Sequence, residues 1–327
     1  MDKRKPLYGR FAFTLEVGPM DLEDIHKFHP SASDTDLLKI YLTLGGVTAY
    51  HELVGNSDYM TVVNEYVLNA NSIIRSDVPY DIKQELGPSA DDAFAVLESI
   101  SSGYNIYKQI VGRTGLNDNR LSDCLKRLTE IRVIKKMESV PISRKSNYYV
   151  ITDRLTSFHF AMQRYTGLIQ DEKNVYDALK SIIASHLGHE FEGFCRDYIT
   201  RNYPCIEVGS WWGPTPTRDE YGGIVKDASG KPVTEDVDID VTATIMDGQN
   251  KIHLFGECKL TGKVVGFSAL NTLRERVDSL RGPYNERLAL FSASGFDEEL
   301  LEYAEGNGIL LFDLDTLVGK RACPRIG

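Results

Sequence analysis

The chain has 327 residues, of which 42% are hydrophobic and 26% charged, and its formal net charge is −10 at pH 7. This length exceeds the usual size of one domain, so we expect two or three domains with ample core. The composition is that of a soluble globular protein. The acidic balance excludes a surface that binds nucleic acid everywhere, but it leaves room for a local basic patch.

Segments that would direct the chain to a membrane or a secretory route are missing from the pattern. No apolar run approaches the roughly 20 residues of a membrane-spanning helix, and the amino-terminal stretch MDKRKPLYGR lacks an apolar core. The five cysteines are odd in number and form no CxxC pair, which argues against a disulfide framework or a zinc knuckle. We therefore expect a cytoplasmic protein with reduced cysteines and no membrane partner.

The first 84 residues predict a helical module. A short strand, RFAFTLEV, precedes the segment SDTDLLKIYLTLGG, in which Ser33 is a plausible helix cap and Gly45 a stop signal. A second helix is predicted over DYMTVVNEYVLN. No GxxxxGK[ST] motif occurs, so we expect no ATP bound in the manner of a P-loop.

The next region has the element order of a winged helix-turn-helix. Helical patterns at about 90–101, 105–113 and 117–131 are followed by two strand-like runs, RVIKKM and NYYVIT. This order places NDNRLSDCLKRLTEI in the position of the recognition helix.

Charge makes this region the candidate contact for DNA. Between Asn105 and Val150 ten Lys and Arg residues outnumber four acids, so the segment carries +6 in a chain of −10. A basic face on such a module is typical of phosphate contact. The alternative is a solvated face on a winged helix that contacts protein. The candidate DNA-binding residues are Arg120, Lys126, Arg127, Lys135, Lys136, Arg144 and Lys145.

From about residue 166 the pattern becomes α/β. A long helix at about 174–202 is followed by the strands CIEVGSWW, EDVDIDVTATIM and KIHLFGECKL, a helix at about 268–281, the strand RLALFSAS, a helix at 297–306 and the strand GILLFDLD. The polar insert GPTPTRDEYGGIVKDASGKP predicts a loop. His186 and His189 on the long helix could bind a metal with Glu192, but no third nitrogen or sulfur ligand is placed beside them. We therefore expect solvated histidines.

The segment DGQN predicts a tight turn between two of these strands. With Gly248 and Gln249 at the turn, Asp240 faces Glu257. Asp238 then faces Lys259. Because side chains alternate along a strand, these four share one polar face, and the opposite apolar face packs on helices.

That polar face has the residue types of a metal-dependent hydrolytic site. Two carboxylates on adjacent strands repel each other unless a cation lies between them, and carboxylate oxygens suit Mg²⁺ or Mn²⁺. Lys259 reaches the same cleft, where it can orient an attacking water and offset charge on a phosphate. The alternative is a half-exposed hairpin with a charged outer face.

The arrangement of Asp240 followed by Glu257-Cys258-Lys259 resembles the PD-(D/E)xK restriction-like nuclease superfamily. The resemblance extends along the chain to the carboxyl-terminal half of the archaeal ATPase family, whose members end in a restriction-like domain. The segments that carry it are, in order, PLYGRFAF, YLTLGGVTAYHEL, the winged helix, ITDRLTSFHFAMQRY, HEFEGFCRDYI, VGSWW, DIDV, FGECKL and LFSASGF.

This resemblance implies both a domain plan and a set of site residues. Residues 1–84 would be a lid-like remnant of an ATPase module, 85–165 a winged helix-turn-helix, and 166–327 a restriction-endonuclease-like αβββαβ domain. The matching site positions are Glu192, Asp240, Glu257 and Lys259, with the three acids as metal ligands. The family's P-loop core has no counterpart in this sequence, so ATP hydrolysis is not implied, and a separately encoded ATPase chain is a candidate partner.

Two functions are therefore compatible with the sequence. The first is a DNA-binding protein with a metal-dependent nuclease-like domain that hydrolyses phosphodiester bonds. The second is a non-catalytic DNA-binding or regulatory protein whose restriction-like domain only binds nucleic acid or a partner chain. Substrate preference and oligomeric state are left open.

Overall fold

A computed structural model of the chain describes residues 15, 17–138, 147–166, 175–217, 219, 223–280 and 285–326. Within these ranges, the helices of the first half are α1 (Leu22–Ile25), α2 (Asp34–Leu44), α3 (Thr48–Val54), α4 (Tyr59–Thr61), α5 (Ile73–Leu86), α6 (Ala90–Ser101), α7 (Tyr107–Thr114) and α8 (Asp118–Glu130). The hairpin strands β1 (Ile134–Glu138) and β2 (Asn147–Ile151) then precede α9 (Arg154–Thr166).

The second half is a mixed α/β unit. Its elements are α10 (Val175–Asn202), β3 (Cys205–Pro216), β4 (Thr234–Asp247), β5 (Asn250–Lys259), α11 (Phe267–Ser279), β6 (Glu286–Ser292), α12 (Glu298–Asn307), β7 (Leu310–Phe312) and α13 (Leu314–Leu317). None of the helices in the described ranges is both long and apolar enough to cross a membrane.

The amino-terminal helices follow the predicted start and stop signals. The Ser33 hydroxyl accepts the amide of Asp36 at 3.1 Å, and α2 ends at Gly45, whose φ of +69° favours glycine. The second predicted helix begins as expected at Tyr59 but continues as a π-helix over Val62–Val67. The predicted strand RFAFTLEV lies outside the described residues except for Leu15 and Val17.

The central region has the predicted order of three helices and an antiparallel hairpin. Strands β1 and β2 pair from Ile134 opposite Ile151 to Glu138 opposite Asn147. The buried face of α8 consists of Leu121, Cys124, Leu125 and Leu128. Assignment of this region as a winged helix-turn-helix stays a prediction, and residues 139–146 between the strands are not among the described residues.

The five strands β3 to β7 form one sheet in the order in which they occur in the chain. Strands β3, β4 and β5 pair antiparallel, whereas β6 and β7 join in parallel. Strand β3 runs to Pro216, opposite Thr234. The first residues of the insert predicted as a loop therefore belong to the sheet.

Helices cover both faces of this sheet, which argues against the alternative of a half-exposed hairpin with a charged outer face. On one face the buried cluster that includes α10 contains Val241, Ala243, Leu254, Phe191 and Phe194. On the other face the buried cluster that includes α11 contains Ile239, Phe255, Leu290, Leu270 and Leu273. Thr242 and Thr244 of β4 are also buried.

Strand β4 contains a β-bulge between Thr242 and Ile239. Gly209 of β3 pairs with Thr242, but Trp211 pairs with Ile239, so three steps along β4 match two steps along β3. Beyond the bulge the alternation is reversed, and Ile239 packs on the opposite side of the sheet from Val241. The extra residue places Asp240 at an irregular point of an otherwise regular strand.

Candidate active site at the β4 bulge

The predicted hairpin register is confirmed as far as the bulge. Asp247 pairs with Asn250, and the ladder continues to Val241 opposite Gly256. At the next step the Asp240 carboxylate turns to the backbone of β5 and accepts the Cys258 amide at 2.7 Å. Asp240 and Glu257 are both buried, with 9% and 3% of their surface exposed. The two acids therefore lie beside each other inside the protein rather than on its surface.

Two positively charged side chains bind the Glu257 carboxylate. Lys259 Nζ donates to Oε1 at 2.7 Å, and Arg276 Nη1, from α11, donates to Oε2 at 2.9 Å. Lys259 thus lies on the same side of β5 as Glu257, as the strand alternation predicts. Sequence reasoning missed Arg276, because one arginine in a helix rich in charged residues gives no distinguishing signal.

Asp238 contacts Arg276 instead of its expected neighbour Lys259. Its Oδ1 lies 3.5 Å from Arg276 Nη1, and the side chain is 67% exposed. Because β4 pairs with β3 at this point, with Asp238 opposite Trp212, the hairpin register no longer sets its partner.

Helix α10 brings Glu192 to the other side of Asp240. Glu192 Oε1 lies 3.3 Å from His189 Nδ1, and its Oε2 lies 3.8 Å from Arg196 Nη1. Arg196 Nη1 also donates to the Asp240 carbonyl at 2.6 Å, which ties the helix to the bulge. The structure therefore brings the four predicted site residues to one place.

Burial and neighbouring charges shift the pKa of two of these residues. Burial, together with the negative charges of Glu192 and Glu257, raises the pKa of Asp240 to about 7, against the opposing effect of the Cys258 amide. Burial lowers the pKa of Lys259, but Glu257 and Asp240 outweigh it, so that pKa lies above its usual value and the ammonium stays charged.

The donor set suits a hard divalent ion, although the side chains are not arranged as ligands. Within the described residues no group of three or more His, Cys, Asp or Glu side chains is placed to hold a metal. Glu192, Asp240 and Glu257 nevertheless offer only carboxylate oxygens, the donors that Mg²⁺ and Mn²⁺ prefer. The residues present therefore fit such an ion chemically, provided that the Glu257 and Glu192 side chains leave their present partners.

The predicted DNA-binding arginines of α8 have partners within the protein. Arg120 binds both carboxylate oxygens of Asp92, at 3.0 and 2.6 Å. Arg127 donates to the Ser89 hydroxyl at 2.6 Å and so ties α8 to the turn before α6.

The lysines of this region are more exposed. The Lys126 side chain is 73% exposed, 3.9 Å from Glu130. Lys135 of β1 has its Nζ 3.9 Å from Asp197 of α10, and Lys136, the next residue of β1, is exposed. Arg144 and Lys145 lie outside the described residues.

A cavity of about 930 Å³ reaches the candidate site. Its walls come from the β1–β2 hairpin, α9, α10 and the first part of the β3–β4 pair, and both Glu192 and Asp240 line it. His186 also lines it and is buried, so the prediction that both histidines are solvated holds only for His189, whose side chain is 75% exposed.

Comparison with known proteins gives a limited family context. The model of the DUF234 family, described as archaea bacterial proteins of unknown function, matches residues 158–269. This span includes all four candidate site residues. No curated protein matches the chain. Correspondence to the carboxyl-terminal half of an archaeal ATPase stays a prediction.

Two solved structures show distant likeness. The crystal structure of protein VC1899 from Vibrio cholerae is 16% identical, with 80% of this chain and 58% of that chain covered and a TM-score of 0.29. The DNA modification-dependent restriction endonuclease AspBHI is 14% identical, with 58% and 56% covered and a TM-score of 0.25. The chain thus spans less than two thirds of either protein, and likeness at this level establishes neither fold nor activity.

Proposed function

We propose that this chain is a DNA-binding protein whose α/β unit hydrolyses phosphodiester bonds with the help of Mg²⁺ or Mn²⁺. The observation that supports the proposal is the grouping of Asp240, Glu257 and Lys259 at a bulge, with Glu192 beside them. Buried carboxylates that repel each other destabilise a fold, so a purely structural sheet would be more stable without them. Bulges occur often next to active sites.

Each residue of the group has a distinct role in this proposal. Glu192, Asp240 and Glu257 would hold the cation, which when bound lowers the pKa of a coordinated water and polarises the phosphate. Lys259 keeps its ammonium at the mouth of the site, where its positive charge orients the attacking water and offsets charge that grows on the phosphate. Without a cation, Lys259 and Arg276 neutralise Glu257.

The remaining parts of the chain have supporting roles in the proposal. The unit over 85–165 would act as a winged helix-turn-helix that contacts DNA phosphates through its exposed lysines. Residues 1–84 would be a lid-like module without nucleotide chemistry of its own, and 166–327 the restriction-like domain. We place the protein in the cytoplasm.

A second candidate function is supported by the contacts of Glu257. Because Lys259 and Arg276 together satisfy this carboxylate, the site is already neutralised without a metal. A site of that kind suits a protein that binds DNA or a partner chain and does not cut it. The two candidates differ in whether a divalent cation displaces Arg276.

Cleavage of supercoiled plasmid and of an end-labelled single strand in Mg²⁺, Mn²⁺ or EDTA separates the candidates. Wild type should cut at least one of the two substrates, and only with metal, whereas Asp240→Asn should cut neither. Asp247→Asn is the matched control, because Asp247 is an exposed acid at the far end of the same strand. If wild type cuts neither substrate in either metal, the nuclease proposal fails and the binding function takes its place.

A further inference from the structure

The cavity beside the candidate site extends along helix α10. Its lining residues on α10 run from Ser181 to Thr200, which corresponds to about 28 Å along the helix at roughly 1.5 Å per residue. Its volume is about 930 Å³. We refer to this elongated cavity as the channel, and its length suits an extended segment of a polymer.

Aromatic side chains line one wall of this channel. They are contributed by β2, β3 and α9. Tyr149, Tyr165 and Trp212 are partly exposed, whereas Tyr148 and Trp211 are buried, and Trp211 belongs to the cluster that includes α11. The Tyr148 ring meets the Trp212 ring edge-on at 4.8 Å, and the Tyr148 hydroxyl lies 3.0 Å from the Ser210 hydroxyl. These contacts fix the wall in place. Aromatic rings of this kind stack on unpaired bases, and every base offers a face for stacking.

The opposite wall carries polar groups, one of which lacks a partner. The His186 side chain lines the channel and is 9% exposed, yet its Nε2 has no hydrogen-bond partner within the described residues and lies 3.8 Å from Glu190 Oε1. Buried polar atoms without a partner are rare, and each calls for a ligand or water. Arg154 of α9 and Arg196 of α10 also line the channel, where Arg154 pairs with Glu190 at 3.1 Å and Arg196 lies 3.8 Å from Glu192.

We infer that this channel binds one strand of nucleic acid and leads it to Asp240, so that the substrate of the proposed hydrolysis is single-stranded. The inference rests on the proposed function for its cleavage step but not for binding. A linear polymer fits the length of the channel, unpaired bases fit its aromatic wall, and polar groups of the strand fit the wall that carries His186. The Asp240 end of the channel is where the strand would meet the carboxylates.

Tryptophan fluorescence tests this binding directly. The chain has two tryptophans, Trp211 and Trp212, and both line the channel. In EDTA, a ten-nucleotide oligothymidylate should quench the fluorescence at a concentration at least tenfold lower than a ten-base-pair duplex does. Duplex held on the outer surface would change anisotropy without quenching. Equal quenching by the duplex, or no quenching by the single strand, would overturn the inference.

Side-chain variants locate the bound strand. Tyr149→Ala should weaken binding of labelled oligothymidylate, measured by anisotropy, about fivefold to a hundredfold, as expected for the loss of one stacked base. Trp212→Phe keeps an aromatic ring and should retain affinity while most of the quenching is lost. Tyr80→Ala is the control, since Tyr80 is 62% exposed on α5, away from the channel. Circular dichroism checks that each variant is folded, and wild-type affinity in a folded Tyr149→Ala would contradict the inference.

The outcomes for binding and for cleavage are distinguishable. If the single strand binds in EDTA but no metal supports cleavage, the inference stands and the nuclease proposal fails. If the protein cuts duplex but does not bind the single strand, the nuclease proposal stands and the inference fails.

Discussion

The cluster of carboxylates at the β4 bulge and the basic surface of the α8–hairpin region differ in where their charged side chains lie. Those of the first are mostly buried, and those of the second are mostly exposed. Asp240 and Glu257 are buried next to each other, and burial together with the negative charges of Glu192 and Glu257 raises the pKa of Asp240. Lys126 and Lys135 are exposed, each near a single acid of the protein. A buried charge destabilises the fold unless a partner or a ligand compensates it, whereas an exposed charge has little effect on stability.

This difference bears on how strongly each region supports a function. A folded protein rarely keeps two interacting buried acids without a compensating ligand, so their presence is informative. A basic face occurs on many surfaces that bind nothing. We therefore expect substitutions in the carboxylate group to have larger effects than substitutions on the basic face.

The largest effect should come from the lysine of the buried group. Lys259→Ala should lower the rate of DNA cleavage, measured on whichever substrate wild type cuts, by about two orders of magnitude or more, as expected when a preorganised charge at the reacting centre is removed. Binding of Mn²⁺ should persist, because the three carboxylates remain. Lys251→Ala, an exposed lysine on the same strand, should cleave at the wild-type rate. Loss of Mn²⁺ binding in Lys259→Ala would show that this lysine has a structural role instead.

A somewhat smaller effect should appear in stability without metal. The pKa of Asp240 is about 7 in the folded protein, above its ordinary value of 3.8, so the folded state keeps a proton that the unfolded state releases. The stabilisation that comes from this proton is therefore complete below the ordinary pKa of 3.8 and is lost as the pH rises through about 7. Asp240→Asn should remove this dependence and be more stable than wild type at pH 8 by on the order of 2 kcal/mol.

Urea unfolding in EDTA at pH 5.5 and pH 8 measures this difference. The stability gap between Asp240→Asn and wild type should widen at the higher pH, whereas Asp247→Asn should show no such change. A gap of the same size at both pH values would mean that the pKa of Asp240 is not raised in the folded protein.

A third effect concerns competition between Arg276 and a metal for Glu257. Because Arg276 Nη1 donates to Glu257 Oε2 at 2.9 Å, Arg276→Gln should free this carboxylate and raise Mn²⁺ affinity about tenfold. Arg274→Gln is the matched control on the same helix, since Arg274 donates to the Tyr303 hydroxyl instead. Unchanged or weaker Mn²⁺ binding in Arg276→Gln would favour the non-catalytic function.

The smallest effect should come from the basic surface. Lys126→Ala should weaken duplex binding only a few-fold, and its slope of log affinity against log salt should fall by about 0.9, the loss of one phosphate contact. Arg127→Ala should instead lower stability by about 1 kcal/mol, because this side chain holds the turn at Ser89. An unchanged salt slope in Lys126→Ala would show that α8 does not touch DNA.

Local patterns in the sequence were enough to predict the centre of the candidate site. The DGQN turn fixed the hairpin register, and strand alternation placed Lys259 on the side of Glu257. Both features depend on residues close to each other in the chain. For the same reason the long helix α10 and the succession of strands and helices along the second half of the chain followed the predicted pattern.

Features that depend on distant residues could not be predicted. The bulge at Asp240 arises from pairing with β3, and the Arg276 contact depends on how α11 packs. The burial of Asp240 and Glu257 could not be predicted either, because it depends on the helices that cover both faces of the sheet. The channel left no sequence signal, because its walls come from elements far apart in the chain.

Binding of Mn²⁺ by wild type and Asp240→Asn, followed by electron paramagnetic resonance, tests the central claim most directly. The signal of free Mn²⁺ reports the unbound fraction without any assumption about substrate. Our account predicts that wild type removes about one equivalent of Mn²⁺ from solution, that Asp247→Asn does the same, and that Asp240→Asn leaves the ion free. Wild type that binds no Mn²⁺, or Asp240→Asn that binds as well as wild type, would contradict it.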